Sequence, residues 1–199
     1  MIKLPSDEIL MKYASGVLNP ALRLLVDRHI ALHPQTAERL ATFTAFGGML
    51  LAGEEPAPLT AGSLDRALAR LAASPREAAA APQWPALDSL DWRWAGPGRR
   101  IAPVDIPGAD DMRAYALKIA AGKAMLQHSH AGIEWTLIVQ GSYSDENGEY
   151  GVGAFIEEDG DTVHTPVATG DVECICLAVL TAPLSAPGLM GKVAHWIMR

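Results

Sequence analysis

The sequence predicts an α+β multi-domain chain, with a small N-terminal helical bundle followed by a C-terminal antiparallel β-barrel. Three observations carry this. Apolar residues recur at helical spacing through the first third of the chain, and short β-rich runs divided by turn residues fill the part after Trp92. Between them the composition shifts to alanine with Pro75, Pro82 and Pro85, as in a linker. The expected division is 1–75 helical, 76–91 linker and 92–199 β.

Ser6 is placed to cap a first helix through Ile9, Leu10 and Tyr13 that stops at Gly16. Asn19-Pro20 starts a second, a capping Asn with Pro at the first helical position. It carries Leu22, Leu25, Val26 and Ile30 and must end near His33, because Pro34 follows. A third helix runs from Pro34 or Gln35 through Leu40, Phe43, Phe46 and Leu50, weakened near its end by Gly47-Gly48. After the loop 53–58, Ser63 caps a fourth helix with Leu64, Ala67, Leu68 and Leu71 on one face. The expected strands are Arg100–Val104, Met112–Ile119, Glu134–Tyr143, Gly151–Phe155, Asp161–His164, Val172–Leu180 and Ala194–Met198. Turns at Pro107-Gly108, Glu146-Asn147-Gly148 and Glu158-Asp159-Gly160 separate them, which suits an antiparallel sandwich or barrel.

Composition excludes several functions. With 49% hydrophobic and 20% charged residues the chain can pack a core. A net charge of −7 and the absence of a Lys/Arg cluster argue against direct nucleic-acid binding. The first residues lack the apolar segment of a signal peptide, and no apolar run reaches the roughly 18 residues of a membrane span. The expectation is a cytoplasmic protein with no membrane partner; self-association is left open.

The chemistry concentrates at His128-Ser129-His130-Ala131-Gly132-Ile133-Glu134 and at His164. On a strand, His128 and His130 point to one side, and Glu134 has the same parity. His164 must arrive from another strand. Three imidazoles and a carboxylate make a complete ligand set for one divalent metal, Zn²⁺ first, with Fe²⁺, Mn²⁺ or Ni²⁺ also suited. Asp110-Asp111 and Glu157-Glu158-Asp159 read as solvated turns, and Tyr143 and Gln127 are the near polar candidates. Trp92 and Trp94 alternate as one face of an early strand, and His195-Trp196 reads as packing.

The run H-x-H-x3-E-x6-G ending at Gly141, followed by Gly160-Asp161-x2-His164, resembles the two metal motifs of the cupin superfamily, whose fold is a double-stranded β-helix. Many cupins have three residues, not two, before the last histidine. The helical half in turn resembles the anti-sigma domain of ChrR-type anti-sigma factors. The likeness begins with Ser6-Asp7-Glu8-Ile9-Leu10-Met11-Lys12-Tyr13-Ala14-Ser15-Gly16, continues to His29 and reaches Cys174-Ile175-Cys176. This resemblance implies a regulator that holds an extracytoplasmic-function sigma factor through its helices, no catalytic residues, and a metal-binding cupin that responds to oxidative or small-molecule stress.

The resemblance breaks at one place. Zinc-bearing members have a histidine before the first helix and H-x3-C-x2-C between the second and third. Here Leu4 or Pro5 stands at the first position, and the second motif reads His29, His33 and Thr36. With both thiolates gone, no zinc is expected in the N-terminal half, and His29 and His33 read as ordinary helix-end residues near the negative end of the dipole. Cys174 and Cys176 share parity, as redox-sensing thiols near the metal or as small hydrophobes filling a strand face. The alternative function is a cupin metalloenzyme such as a small-molecule dioxygenase, with the helices serving dimerisation.

Overall fold

A computed structural model describes residues 2–73, 84–125, 127–160, 162–182 and 184–185, the side chains of His130, Leu184 and Ser185 excepted. Four helices come first: α1 Asp7–Ala14, α2 Pro20–Leu32, α3 Gln35–Ala52 and α4 Ser63–Ala73. The caps are those expected. The Ser6 side chain accepts from the Ile9 amide and that of Asn19 from the Ala21 amide. Gly47-Gly48 lies inside α3 without breaking it. Much of the expected linker lies outside the described residues; its last part, Trp84 to Leu90, packs Trp84, Leu87 and Leu90 against the core.

The β half is antiparallel at every described pairing. Its strands are β1 Arg93–Trp94, β2 Arg99–Val104, β3 Arg113–Ile119, β4 His128–His130, β5 Glu134–Gln140, β6 Ser142–Asp145, β7 Gly148–Gly151, β8 Phe155–Glu158, β9 Val163–His164, β10 Val167–Thr169, β11 Cys174–Leu180 and β12 Leu184–Ser185. They form a six-stranded sheet ordered β1-β2-β3-β11-β5-β8 and two three-stranded sheets, β10-β6-β7 and β12-β4-β9.

Two expected strands come out differently. The run Glu134–Tyr143 divides at Gly141, where φ is 66° and an added Cβ would lie 2.6 Å from the Glu173 carbonyl oxygen. Only glycine fits there, and the chain leaves one sheet for the other. The stretch Gly151–Phe155 is a turn between β7 and β8, with Gly153 at φ 86°. The expected strand Ala194–Met198 and the pair His195-Trp196 lie outside the described residues.

The six-stranded sheet has two apolar faces. On one, Ala102, Ala116, Leu137, Phe155, Leu177 and Val179 share a core with Ile9 and Leu10 of α1 and Leu22, Leu25 and Val26 of α2. Each such large side chain contributes about 1.5–3 kcal/mol by leaving water. The other face packs Ile119, Ile138, Ile156, Cys174 and Cys176 against Tyr143, Tyr150 and Ala168 of the β10-β6-β7 sheet.

Polar contacts pin the helices to the sheet. The Ser6 amide donates to Glu157 Oε1 at 2.8 Å, the Phe155 amide to the Lys3 carbonyl at 2.9 Å, and Asn19 Nδ2 to Asp111 Oδ1 at 2.6 Å. By contrast, α4 has no buried residue. No helix among the described residues is long and apolar enough to cross a membrane.

Candidate functional site

Register does much of the work at the expected metal site. β4 and β9 place His128 directly opposite His164, and β5 and β8 place Glu134 directly opposite Glu158. All four are buried. The Nε2 atoms of His128 and His164 lie 3.0 Å apart. His130 shares the parity of His128 on β4, but its side chain lies outside the described residues.

A third carboxylate completes the cluster. Asp145, at the end of β6, has its Oδ2 3.3 Å from His164 Nδ1, and its side chain is fully shielded from solvent. A carboxylate accepts there, so Nδ1 carries the proton and Nε2 turns its lone pair toward His128. Ligand atoms of Asp145, Glu158 and His164 lie within 4.8 Å of one another.

Two imidazole nitrogens facing each other at this distance need a proton or a cation between them. Two ligands about 2.1 Å from one metal, at angles of 90–110°, are themselves about 3.0–3.4 Å apart. The separation of 3.0 Å therefore suits a shared metal. The buried carboxylates would offset its charge, since burial of unbalanced charge is costly. Of the residues expected from sequence, His128 and His164 come into direct contact. Glu134 lies opposite Glu158 in the register and its Oε1 accepts from Thr136 Oγ1 at 2.7 Å, while the carboxylates grouped with His164 are Asp145 and Glu158.

Glu158 corrects the reading of Glu157-Glu158-Asp159 as a solvated turn. Strand β8 continues through Glu158, which shares parity with buried Ile156 and so faces the interior. Burial pushes its carboxyl upward, His164 opposes the shift and Asp145 adds to it. Asp145 was also missed, for it precedes an Asn-Gly turn and looks like part of it; only the alternation from buried Tyr143 through Ser144 hints that it turns inward. Asp111 is exposed, in keeping with a solvated turn, and accepts from Asn19. Tyr143 lies in the same interior, its hydroxyl pushed well up by burial and by the nearby Cys176, Glu134, Asp145 and Glu158. Gln127 is exposed. Trp92 is half-buried beneath Lys118, whose Nζ sits 4.8 Å from the ring centroid, while Trp94 is exposed.

Cys174 and Cys176 both point into this interior, with their sulfurs 3.5 Å apart. The hydrogen bond to Cys174 and burial push the Cys176 thiol well up, and Glu134 adds to the effect.

The second cluster of interest is in the helical half. His29 is fully buried, which corrects its reading as an ordinary helix-end residue. Its Nδ1 lies 2.9 Å from the Gly153 carbonyl oxygen and its Nε2 2.9 Å from Thr36 Oγ1. Burial lowers its pKa to about 4, against the favourable bond to Gly153. His33 Nε2 approaches the Val152 carbonyl at 3.4 Å. The β7–β8 turn thus seats on the end of α2.

Residues 83–183 match the family described as the ChrR cupin-like domain. The anti-sigma-E factor ChrR of Cereibacter sphaeroides is 34% identical over 207 aligned positions, covering 98% of this chain and 96% of that protein. The crystal structure of Rhodobacter sphaeroides SigE in complex with the anti-sigma ChrR superposes with a TM-score of 0.77 at 34% identity, covering 89% of this chain and 98% of that one. An RmlC-like cupin protein from Ralstonia eutropha JMP134 aligns at a TM-score of 0.45 and 21% identity, over 53% of this chain and 72% of that one. With the likeness running through helices and cupin alike, this chain belongs to the ChrR family of anti-sigma factors.

Proposed function

We propose that this chain is a cytoplasmic anti-sigma factor that sequesters an extracytoplasmic-function sigma factor through its helices. In this reading its cupin half holds one divalent metal and biases the contact under oxidative or small-molecule stress. One observation carries the partner assignment. Leu64, Leu68 and Leu71 on α4 are 68%, 54% and 73% exposed, and Met49 and Leu50 near the end of α3 are 72% and 60% exposed. The α4 leucines lie at i, i+4 and i+7, a single apolar stripe. A short helix with no buried residue gains little from its own chain, and such a stripe fits an apolar groove on a partner.

The metal ligands in this proposal are His128, His130, Glu134 and His164, with Zn²⁺ as the first expectation. The facing Nε2 atoms of His128 and His164 support it; Asp145 and Glu158, grouped with His164, offer further carboxylate donors beside this set. The metalloenzyme alternative accounts for the β half alone, whereas the likeness to an anti-sigma factor spans 98% of the chain.

The test is co-purification with an extracytoplasmic-function sigma factor from the same organism. Leu64→Asp and Leu68→Asp should abolish capture and relieve inhibition of transcription by that sigma factor, with an unchanged circular dichroism spectrum. Undiminished capture by the double variant would remove α4 from the interface.

A further inference from the structure

A groove of about 610 Å³ lies where α2 meets the sheet and the segment that leads into it. Arg23, Leu24, Asp27, Arg28 and Ala31, on successive turns of α2, form one wall. Trp84 and Leu87 form another, and Val139 of β5 and Leu177 of β11 line the same groove. Clefts of this size between structural units, apolar with a few convergent polar groups, are the usual form of a small-molecule site.

Its chemistry is specific. Leu24 and Leu177 are buried, so the groove has an apolar floor. Asp27 already accepts from the Tyr13 hydroxyl, and the Arg23 guanidinium sits 5.2 Å from the centroid of the Tyr13 ring. Arg23 and Arg28 form no ion pair among the described residues, in a chain of net charge −7. The Trp84 indole nitrogen is buried and has no hydrogen-bond acceptor among the described residues.

We propose that this groove binds a small amphiphilic carboxylate, an acid with an apolar acyl or aryl body. Its head meets the guanidinium groups of Arg23 and Arg28, which match a carboxylate in geometry and charge. Its body lies on Leu24, Val139 and Leu177. Because the walls belong to α2 and to the sheet, an occupant touches both halves of the molecule. The site needs neither the metal nor a sigma factor.

Titration calorimetry of the full chain with octanoate and with 4-phenylbutyrate tests this, with 1-octanol as the uncharged control. At least one acid should bind saturably, one per chain, with 1-octanol about tenfold weaker or worse, because a charged hydrogen bond is lost. Arg23→Gln with Arg28→Gln should weaken the acid by a similar factor. Ala31→Trp, at an exposed position on the wall, should block it by filling the groove. No saturable binding of either acid would overturn the proposal, as would equal affinity for 1-octanol. So would unchanged binding in both variants, each first shown to melt as the parent does.

Discussion

The Nε2 of His29 lies 2.9 Å from Thr36 Oγ1, and both residues are buried. The other ring nitrogen faces the Gly153 carbonyl oxygen, which can only accept. Nδ1 therefore carries the proton, Nε2 accepts from the Thr36 hydroxyl, and the ring is fully engaged. Thr36 stands where zinc-bearing relatives of the ChrR pattern have the last cysteine. At this corner a neutral hydrogen-bond chain links α2, α3 and the β7–β8 turn.

That chain predicts a pH dependence. Burial lowers the His29 pKa from the ordinary 6.5 to about 4 in the folded chain. Above pH 6.5 both states hold it neutral and its contribution is fully present. As pH falls toward 4 the unfolded chain takes up the proton and the folded one does not, which removes on the order of 3 kcal/mol. Urea unfolding between pH 7.5 and 4.5 should show a steep loss for the parent and a shallower one for His29→Gln. Parallel curves would place the titration elsewhere.

The same corner is sterically closed. A Cβ on Gly153 would lie 1.7 Å from His33 Nε2, and the backbone there has φ 86°. Gly153→Ala should lower stability by about 1–3 kcal/mol through strain and displacement of His33. Thermal melting measures this, and a melting temperature within a degree of the parent would contradict it.

Much of this was legible in the sequence. Ser6, Asn19-Pro20 and Pro34 fixed three helix ends because caps are local chemistry, and i, i+2 parity set His128 and His130 together. Gly141 is a motif position, but a left-handed residue within an apolar run leaves no mark in alternation to show that one strand becomes two there. Glu158 and Asp145 looked like turn residues; what makes them interior is pairing with strands far away in sequence. The burial of His29 is hidden from local pattern for the same reason. Its partner Gly153 is 124 residues away, and no local pattern announces that contact.

The thiols give a further prediction. Cys174 and Cys176 are buried side by side, and the Cys176 thiol is pushed well up, so little nucleophilic thiolate is present at neutral pH. In the folded protein both should react with Ellman's reagent far more slowly than a free thiol, and two equivalents should appear at once in denaturant. Rapid labelling of the native protein would mean that the interior opens readily and would contradict this.

The last prediction concerns Asp145, which sequence reading did not single out. Its carboxylate holds the Nδ1 proton of His164 and so fixes the tautomer that presents Nε2 to His128. A carboxylate in this position orients the imidazole and raises its basicity, and its loss typically weakens metal affinity about 10–100-fold. The full chain should carry one metal per chain by elemental analysis. Asp145→Asn should keep the fold and still bind, but release the metal to a competing chelator at about 10–100-fold lower concentration, because the amide can present its oxygen to Nδ1 without the charge. His164→Ala should abolish binding. Stripping the metal should lower the melting temperature, as expected when a ligand binds only the folded state, and by less in Asp145→Asn. Parent-like affinity in Asp145→Asn would show that the 3.3 Å contact does not tune His164.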